Sequence, residues 1–321
     1  MKPATILITD YGFKDLAPEQ AIIEAAGCRL VTAQCATPAQ VIAAAGDAAP
    51  SALLVQWAPI NGEVIAALPA SVRAIVRYGI GVDNVDLAAA RARGIAVCNV
   101  PDYCIDEVAD HTLALALACA RQLPQTHARI LGGEWKITPP APMAALRNRT
   151  FATAGFGRIA RAVLARAKAF GFKLAAFDPF VPPEAFLAAG ATGITADELF
   201  AQADVLSLHL PLTADTRHFV NAARFAQMRR TAILVNTSRG ALVDTPALAH
   251  ALSAGALAGA GLDVFETEPL EPAHPLRTAP NCLLTSHIAW YSDQSVPRLQ
   301  GLAAEEAVRA VRGEALRNPV H

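Results

Sequence analysis

A short glycine-containing segment has residue types suited to binding a phosphate group. Residues 155–160 read Gly-Phe-Gly-Arg-Ile-Ala, a G-x-G-x-x-A pattern. The segment follows a predicted strand at 151–154 and opens a stretch with apolar residues at helical spacing. Gly155 would permit a tight turn, and Gly157 would let a pyrophosphate approach the N–H groups at the helix N-terminus. Ala160 replaces a third glycine, at a position that requires only close packing of helix on strand.

An acidic residue at the end of the next predicted strand makes the phosphate interpretation more specific. Asp178 follows the strand predicted at 173–177, about 20 residues beyond the glycines, where dinucleotide-binding folds place such an acid. Its carboxylate would accept hydrogen bonds from both ribose hydroxyls of NAD and repel the 2′-phosphate of NADP. No arginine immediately follows Asp178 to offset that repulsion. The alternative is that the glycines form a purely structural turn and that Asp178 only ends a strand. We favour the first interpretation, with NAD as the cofactor.

Further polar side chains follow the predicted strands in the second half of the chain. They are Ser207 and His209, Asn236 to Arg239, Asp263 to Glu268, and Ser286 with His287. Ligands of open parallel sheets bind outside the carboxyl ends of the strands, so an arginine, a glutamate and a histidine are expected at one sheet edge. Each alone has an ordinary explanation as a surface arginine, a solvated glutamate or a capping histidine. Their joint occurrence after a dinucleotide motif favours a reaction site.

The elements that must position these residues are short apolar strands alternating with helices. Strands are predicted at 5–9, 52–55, 74–77, 95–98, 151–154, 173–177, 204–208, 231–235, 258–262 and 282–285. Continuous apolar strands between helices indicate parallel sheets covered on both faces, which is the doubly wound α/β pattern. A buried helix is predicted from Asp106 to about Gln122 and an amphipathic helix from 296 to 312. Between the two strand series lies a segment rich in Gly, Pro and Trp, 132–142.

Length and composition exclude several classes of protein. With 321 residues, 53% of them hydrophobic and 17% charged, the chain is predicted to fold and is large enough for two domains. The formal net charge is -1, so the chain lacks the excess of basic residues that is typical of nucleic-acid-binding proteins. Six cysteines without C-x-x-C spacing predict no metal site and no disulfide framework, and they favour a reducing cytoplasm. The N-terminus has no signal-peptide pattern, and the apolar stretch 113–120 is far shorter than the roughly 20 residues of a membrane span, so no membrane is expected as a partner.

Several motifs together resemble the D-isomer-specific 2-hydroxyacid dehydrogenase family along nearly the whole chain. They are Arg77-Tyr78-Gly79-Ile80-Gly81-Val82-Asp83-Asn84-Val85-Asp86, Val108-Ala109-Asp110-His111-Thr112-Leu113, Gly155 to Ala160, His209-Leu210-Pro211-Leu212-Thr213, Asn236-Thr237-Ser238-Arg239-Gly240, Gly261 to Pro269, and Ser286-His287-Ile288-Ala289-Trp290-Tyr291-Ser292. The ending Ala289 to Ser292 and the run 166–172 look like the C-terminal-binding-protein branch. Thr153 departs from the aliphatic pattern expected of the strand before the glycines.

The resemblance implies an α/β fold of two Rossmann-like doubly wound parallel-sheet domains with a cleft between them. A substrate-binding outer domain would combine 1–100 with 286–321, and an NAD-binding Rossmann domain would span 101–285. Such proteins are usually dimers through the NAD-binding domain, so a homodimer is expected.

The resemblance also implies roles for individual residues in a hydride transfer between nicotinamide and C2 of a small D-2-hydroxy acid or 2-oxo acid. His287 would be the acid/base, Glu268 would orient it, and Arg239 would bind and polarise the substrate. Cofactor contacts would come from Ile80, Thr112, Gly155, Phe156, Gly157, Arg158, Ile159, Asp178, His209, Leu210, Pro211, Thr216, Thr237, Ser238, Arg239, Asp263 and His287. Substrate contacts would come from Tyr78, Gly79, Ile80, Arg239 and Trp290, with backbone N–H groups of 77–81 meeting the substrate carboxylate.

Other functions compete with this one. An NAD-binding corepressor-like scaffold is compatible with the C-terminal-binding-protein resemblance, although such scaffolds usually carry a disordered tail and this chain ends soon after its last predicted helix. Phosphite oxidation would keep the same three catalytic residues and stays open. Formate enzymes of this superfamily carry glutamine in place of Glu268, and a Rossmann methyltransferase would lack the three residues at these positions. The motifs do not distinguish D-lactate, glyoxylate, hydroxypyruvate and 3-phosphoglycerate as substrates.

Overall fold

The computed structural model describes residues 3–320, in which strands and helices alternate. The strands are β1 (Thr5–Ile8), β2 (Arg29–Thr32), β3 (Ala52–Val55), β4 (Ala74–Arg77), β5 (Ala96–Cys98), β6 (Thr150–Ala154), β7 (Lys173–Phe177), β8 (Thr192–Gly193), β9 (Val205–Leu208), β10 (Ile233–Asn236), β11 (Gly259–Leu262), β12 (Cys282–Leu284) and β13 (Pro319–Val320). The helices are α1 (Ala17–Ala25), α2 (Pro38–Ala48), α3 (Gly62–Ala67), α4 (Leu87–Ala92), α5 (Ile105–Ala120), α6 (Leu123–Leu131), α7 (Arg158–Ala169), α8 (Pro183–Ala188), α9 (Ala196–Gln202), α10 (Ala222–Gln227), α11 (Thr245–Ser253) and α12 (Ser295–Arg312). Short 3-10 helices lie at Gly240–Leu242 and Pro275–Arg277.

Every strand predicted from the sequence has a counterpart in the structure, and no bound differs by more than two residues. The strands that were not predicted, β2, β8 and β13, all lie at sheet edges. The predicted helix from Asp106 to about Gln122 is found as α5, which ends at Ala120, and the separate helix α6 follows it.

The chain forms two compact units. It passes from the first unit to the second between Cys104 and Ile105, and it returns to the first between Trp290 and Tyr291. Both points lie a few residues beyond the predicted limits of 100 and 285. The first boundary lies beyond residue 100 because Arg298 of α12 donates a hydrogen bond to the Tyr103 carbonyl at 3.1 Å. This bond attaches the turn at Tyr103 to the first unit. The second boundary lies beyond residue 285 because the N–H groups of residues 287–289 are hydrogen-bonded to Asp263 of the second unit.

The sheet of the first unit has the strand order β13-β5-β4-β3-β1-β2. All its pairs are parallel except β13, which pairs antiparallel with β5. Without β13 the order is 2-1-3-4-5, one of the two common doubly wound orders. The C-terminal helix α12 packs on α1, β3 and β4. The first unit is therefore assembled from both ends of the chain.

The sheet of the second unit is parallel throughout, in the order β12-β11-β10-β9-β6-β7-β8. Counted from β6, this is the Rossmann order 3-2-1-4-5-6 extended by one strand, and the order reverses between β6 and β9. Helices α5 and α7 cover one face, and α9, α10 and α11 cover the other. Gly261 lets α5 approach β11, because a Cβ at Gly261 would lie 2.8 Å from the Leu115 Cβ. The carboxyl ends of β6 and β9 are thus the expected place for a dinucleotide.

Burial makes several cysteines of this fold poor nucleophiles. It raises the pKa of the Cys98, Cys119 and Cys282 thiols to about 12, with the nearby Glu306 charge adding to the effect at Cys98. These side chains therefore serve as small apolar groups at neutral pH. Within residues 3–320, no helix has the length and apolar character needed to cross a membrane.

Candidate functional site

The glycine loop after β6 has the geometry of an anion cradle. Gly155 has a φ of +95°, and a Cβ there would lie 2.6 Å from the His209 carbonyl oxygen, so glycine alone permits this approach of the β6 and β9 ends. A Cβ at Gly157 would meet nothing within 4 Å, so space remains beside the backbone. Gly157 is also the N-cap of α7 and supplies no side-chain acceptor for the first N–H groups of that helix. These N–H groups and the helix dipole fit a pyrophosphate.

Asp178, directly after β7, is fixed beside this loop. One carboxylate oxygen accepts a hydrogen bond from the Phe156 N–H and the other accepts one from the Phe180 N–H, both at 3.0 Å. Each oxygen retains a further lone pair, so the carboxylate can accept ribose hydroxyls without losing its support. The arrangement fits NAD, with the cofactor's pyrophosphate at the start of α7, where Arg158 and Ile159 form the first turn.

The end of β9 contributes a neutral histidine and a closed loop. Burial lowers the pKa of His209 to about 3, and its Nε2 lies 2.9 Å from the Ser207 hydroxyl oxygen. Ser207 is paired in register with Thr153, the residue that departs from the aliphatic pattern, and the buried Thr153 hydroxyl makes no hydrogen bond. The following loop is closed by Thr216, whose hydroxyl donates to the Pro211 carbonyl at 2.7 Å.

Arg239 is presented by a tight turn after β10. The Asn236 side chain accepts a hydrogen bond from the Ser238 N–H at 3.1 Å and donates one to the Arg239 carbonyl at 2.8 Å. The Ser238 hydroxyl donates to the Leu210 carbonyl at 2.7 Å, which joins the turn to the β9 loop. The guanidinium donates to the Ser238 carbonyl at 2.7 Å.

Gly240 brings this turn against the loop that carries Glu268. A Cβ at Gly240 would lie 1.9 Å from the Phe265 carbonyl carbon, so any other residue would push the two backbones apart. No role for Gly240 was predicted from the sequence. Its signal was its place directly after the predicted catalytic arginine, but nothing local in the sequence reveals the backbone that it touches.

His287 and Glu268 form a close pair. The distance from His287 Nδ1 to a Glu268 carboxylate oxygen is 2.7 Å, and the other oxygen accepts the Phe265 N–H at 2.9 Å. Burial acts to raise the pKa of Glu268, but the hydrogen bond and charge of His287, the Phe265 N–H and the Arg239 charge outweigh it, so the pKa of Glu268 is lowered. An ionised Glu268 is an acceptor, so Nδ1 carries a proton and Nε2 is the nitrogen left for chemistry. Both side chains are about one-third exposed, at 35% and 36%, so a small molecule can reach them.

Three residues predicted to contact ligands have side chains that point into the protein. Tyr78 is buried, and its hydroxyl donates to the Glu19 carboxylate at 2.9 Å. Thr112 and Asp263 are both fully buried, and their side-chain oxygens make hydrogen bonds within the second unit. These side chains make their hydrogen bonds inside the protein, and their direct contact with a ligand stays a prediction. The motifs identified the residues, but a motif does not reveal which way a side chain points.

The glycine loop after β4 also differs in detail from expectation. Gly79 has a φ of +135°, and its N–H donates to the Arg77 carbonyl at 2.9 Å instead of remaining available to a substrate carboxylate. The Ile80 carbonyl accepts from the Asn99 side chain at 2.6 Å. The Trp290 indole donates to the His287 carbonyl at 2.8 Å, which makes it a brace of the His287 loop. Among residues 3–320, no group of three or more His, Cys, Asp or Glu side chains is arranged to hold a metal ion.

Known proteins that are similar to this chain identify its family. The family model described as D-isomer specific 2-hydroxyacid dehydrogenase, NAD binding domain, matches residues 113–289. A glyoxylate reductase of Korarchaeum cryptofilum is 39% identical over 80% of this chain and 78% of its own. The crystal structure of a glyoxylate reductase from Paecilomyes thermophila has a TM-score of 0.89 and 30% identity over 100% of this chain and 99% of its own. That of a D-lactate dehydrogenase from Aquifex aeolicus, complexed with NAD and lactic acid, has a TM-score of 0.85 and 27% identity over 96% of each chain. The chain is therefore an NAD-dependent oxidoreductase that belongs to the D-isomer-specific 2-hydroxyacid dehydrogenase family.

Proposed function

We propose that this enzyme catalyses the reversible reduction of a small 2-oxo acid to the D-2-hydroxy acid, with His287 as its acid/base. The observation that carries the proposal is the 2.7 Å hydrogen bond between His287 and Glu268. It leaves an accessible imidazole with a defined tautomer beside a carboxylate. The relatives named glyoxylate reductase support glyoxylate as the first substrate to test.

Each residue of the trio has a distinct task in this reaction. Bound NADH supplies the hydride for C2 of the substrate. His287 donates its Nε2 proton to the carbonyl oxygen during reduction and takes it back during oxidation. Glu268 stabilises the charged imidazole and keeps its orientation. Arg239 binds the substrate carboxylate through its planar fork and polarises the carbonyl.

The roles of the two units follow from the same proposal. The second unit, Ile105 to Trp290, would bind NAD through the glycine loop and Asp178. The first unit would contribute to substrate selection. The hydride transfer would then be the same for all substrates, and the loops of the first unit would decide which substrate side chain is accepted.

A panel of 2-oxo acids with NADH tests the proposal. We expect NADH consumption with glyoxylate, hydroxypyruvate, pyruvate or 3-phosphohydroxypyruvate, and a loss in kcat of about 10²–10⁴-fold for His287→Asn, the usual contribution of a positioned acid/base. The variant should melt at the wild-type temperature and keep its NADH affinity. Full turnover by a folded His287→Asn variant would contradict the mechanism.

The same assay separates the competing functions. Turnover of phosphite with NAD, and of no 2-oxo acid, would favour phosphite oxidation. Tight NADH binding without turnover of any acid would favour the corepressor-like scaffold.

The proposal extends to assembly and location. The helix α6 and the segment after it expose large apolar side chains, with Leu131 75%, Trp135 85% and Ile137 94% exposed. Exposed apolar groups of this size are typical of interfaces, which supports a homodimer formed through the second unit. Light scattering should give twice the chain mass for the wild type and a single chain mass for Trp135→Glu/Ile137→Glu. The unreactive thiols are compatible with the predicted cytoplasmic location.

A further inference from the structure

His111, on the buried helix α5, contacts the loop that carries His287. Its Nε2 lies 3.0 Å from the Thr285 hydroxyl oxygen, and that hydroxyl lies 2.5 Å from a carboxylate oxygen of Asp263. The His111 Nε2 is itself 3.7 Å from the same carboxylate oxygen. The three side chains come from α5, from the residue after β12 and from the residue after β11, so they join three elements at one sheet edge.

The direction of each hydrogen bond follows from the available protons. A threonine hydroxyl has one proton, and a carboxylate only accepts, so Thr285 donates to Asp263. The Thr285 oxygen must then accept from His111, whose Nε2 therefore carries a proton. The series of hydrogen bonds from His111 to Thr285 and from Thr285 to Asp263 thus has a defined direction, and it requires a hydrogen-bond donor at position 111.

Asp263 in turn holds the backbone of His287 and of the two residues that follow it. Its backbone carbonyl accepts the His287 N–H at 2.8 Å, and its carboxylate accepts the N–H groups of Ile288 at 3.0 Å and Ala289 at 2.9 Å. His287 has a φ of +56°, a left-handed conformation that is unfavourable for a non-glycine residue. Such a conformation persists only where its surroundings fix it, and here the surroundings include the bonds to Asp263.

The next residue of the same helix supports the other catalytic loop. The Thr112 hydroxyl lies 2.9 Å from that of Thr237, which is two residues before Arg239. Consecutive side chains of α5 therefore contact the loops of His287 and of Arg239. A rigid helix that touches both loops gives them a common reference, which matters because small displacements of reacting groups lower rates strongly.

We propose that His111 is a positioning residue for the reaction: through Thr285 and Asp263 it fixes the loop that presents His287. This inference rests on the proposed function, since it concerns the placement of the acid/base. His111 does not touch the reacting atoms. Its contribution is to hold the imidazole of His287 at the geometry in which the Glu268 bond forms.

The test compares His111→Leu, which removes the donor, with His111→Gln, whose amide nitrogen can replace Nε2. His250→Leu is the matched control, because His250 is exposed on α11. We expect His111→Leu to lower kcat about tenfold or more while the dissociation constant of NADH stays unchanged, since misplacement by even 1 Å can cost about 10²-fold. His111→Gln should recover most of the rate, and His250→Leu should equal the wild type. Rates are taken per NADH-binding site, so that unfolded protein does not count.

Two further measurements distinguish positioning from general stability. Combined with Thr285→Val, His111→Leu should add little further loss, because both remove the same link. Amide exchange at Ile288 and Ala289 should accelerate in His111→Leu without any substrate present.

The outcomes separate this inference from the function on which it rests. A wild-type kcat in His111→Leu, equal losses in the Leu and Gln variants, or unchanged amide exchange would overturn the role of His111. If His287→Asn loses activity while His111→Leu does not, the positioning role fails and the proposed function stands. If the wild type reduces none of the 2-oxo acids, the proposed function fails, and amide exchange still reports on the loop.

Discussion

At the scale of single residues, charge and proton location decide the chemistry of the trio. The pKa of Glu268 is lowered because the His287 hydrogen bond and charge, the Phe265 N–H and Arg239 together outweigh the cost of burial. Glu268 is therefore ionised at neutral pH, and its carboxylate lies 2.7 Å from the His287 Nδ1 as a charged hydrogen-bond acceptor.

Replacing Glu268 by glutamine tests that electrostatic role. Glu268→Gln can retain a hydrogen bond to His287, but the negative charge beside the imidazole is removed. We expect kcat for 2-oxo acid reduction to fall by less than in His287→Asn, because the amide keeps the ring oriented but no longer supplies the charge. The measurement is steady-state kinetics of both proteins, with the dissociation constant of NADH as the control. A wild-type kcat in Glu268→Gln would show that the charge of Glu268 contributes nothing to the reaction.

Asp178 determines a second property at this scale, the choice between NAD and NADP. A 2′-phosphate would meet the Asp178 carboxylate, which the Phe156 and Phe180 N–H groups hold in place, so the side chain cannot easily withdraw. We expect kcat/KM to favour NADH over NADPH by tenfold or more, about 1.4 kcal/mol. Asp178→Ser should reduce that ratio. Equal values for the two cofactors in the wild type would refute this role for Asp178.

At the scale of elements, α5 shows why a buried helix can carry polar residues. Thr112 is fully buried, donates to the Val108 carbonyl at 2.7 Å and pairs with Thr237. Its hydroxyl is thus satisfied within the helix and also supports the turn that presents Arg239.

Thr112→Val should remove this support while conserving volume. The Thr237 hydroxyl would lose a partner, which should destabilise the protein by about 1 kcal/mol and raise KM for the oxo acid through a looser Arg239 turn. Thr126→Val is the control, because Thr126 makes the same type of helical bond, to the Gln122 carbonyl at 2.9 Å, on α6. Thermal melts and steady-state kinetics on both variants decide the matter. A KM that rises equally in the two variants would speak against a specific role for Thr112.

Complete burial makes a strand easy to predict from the sequence. The strands β1, β3, β9 and β10 are buried along their whole length and consist almost entirely of apolar residues, so periodicity and length identify them. The edge strand β2 reads Arg-Leu-Val-Thr and has exposed ends, and β8 is only two residues long. Their pairing is decided by the neighbouring strand, which local sequence does not encode. Helix α6 was missed because none of its residues is buried.

The candidate site could be predicted from the sequence only as a set of residues. The identities of Arg239, Glu268 and His287 followed from motif order and family resemblance, and the structure brings His287 and Glu268 into contact. The orientation of Tyr78 and Asp263 and the contact of His111 with Thr285 did not follow. They depend on how α5 and the strand ends pack, and a linear motif carries no information about that packing.

At the scale of the whole chain, the two ends build one unit. The C-terminal strand β13 pairs with β5, and the chain before it is held by buried Glu306, which accepts the Arg317 N–H at 2.6 Å. Helix α12 also reaches α1 through a buried polar group: Glu19 accepts hydrogen bonds from Tyr78 at 2.9 Å and from Gln300 of α12 at 2.8 Å. The joining of the two ends thus depends partly on an ionisable side chain inside the core.

That side chain should make the stability of the first unit depend on pH. Burial raises the pKa of Glu19 above its usual 4.5, although the Tyr78 and Gln300 hydrogen bonds act in the opposite direction. A carboxyl that binds its proton more tightly in the folded state stabilises the fold at low pH, and this contribution is lost as pH rises from 4.5 through the raised pKa. Glu19→Gln cannot ionise. Its melting temperature relative to the wild type should therefore increase over that pH range.

The comparison rests on the slope of this difference, because the glutamine amide facing Gln300 adds a cost that does not vary with pH. Glu24→Gln on the same helix is the control, since Glu24 is exposed and its replacement should leave the slope unchanged. Parallel melting curves for the wild type and Glu19→Gln between pH 4 and neutrality, roughly the range over which a buried carboxyl titrates, would mean that Glu19 keeps its ordinary acidity in the core. In that case the contact between α1 and α12 would have to be stable without any contribution from the proton on Glu19.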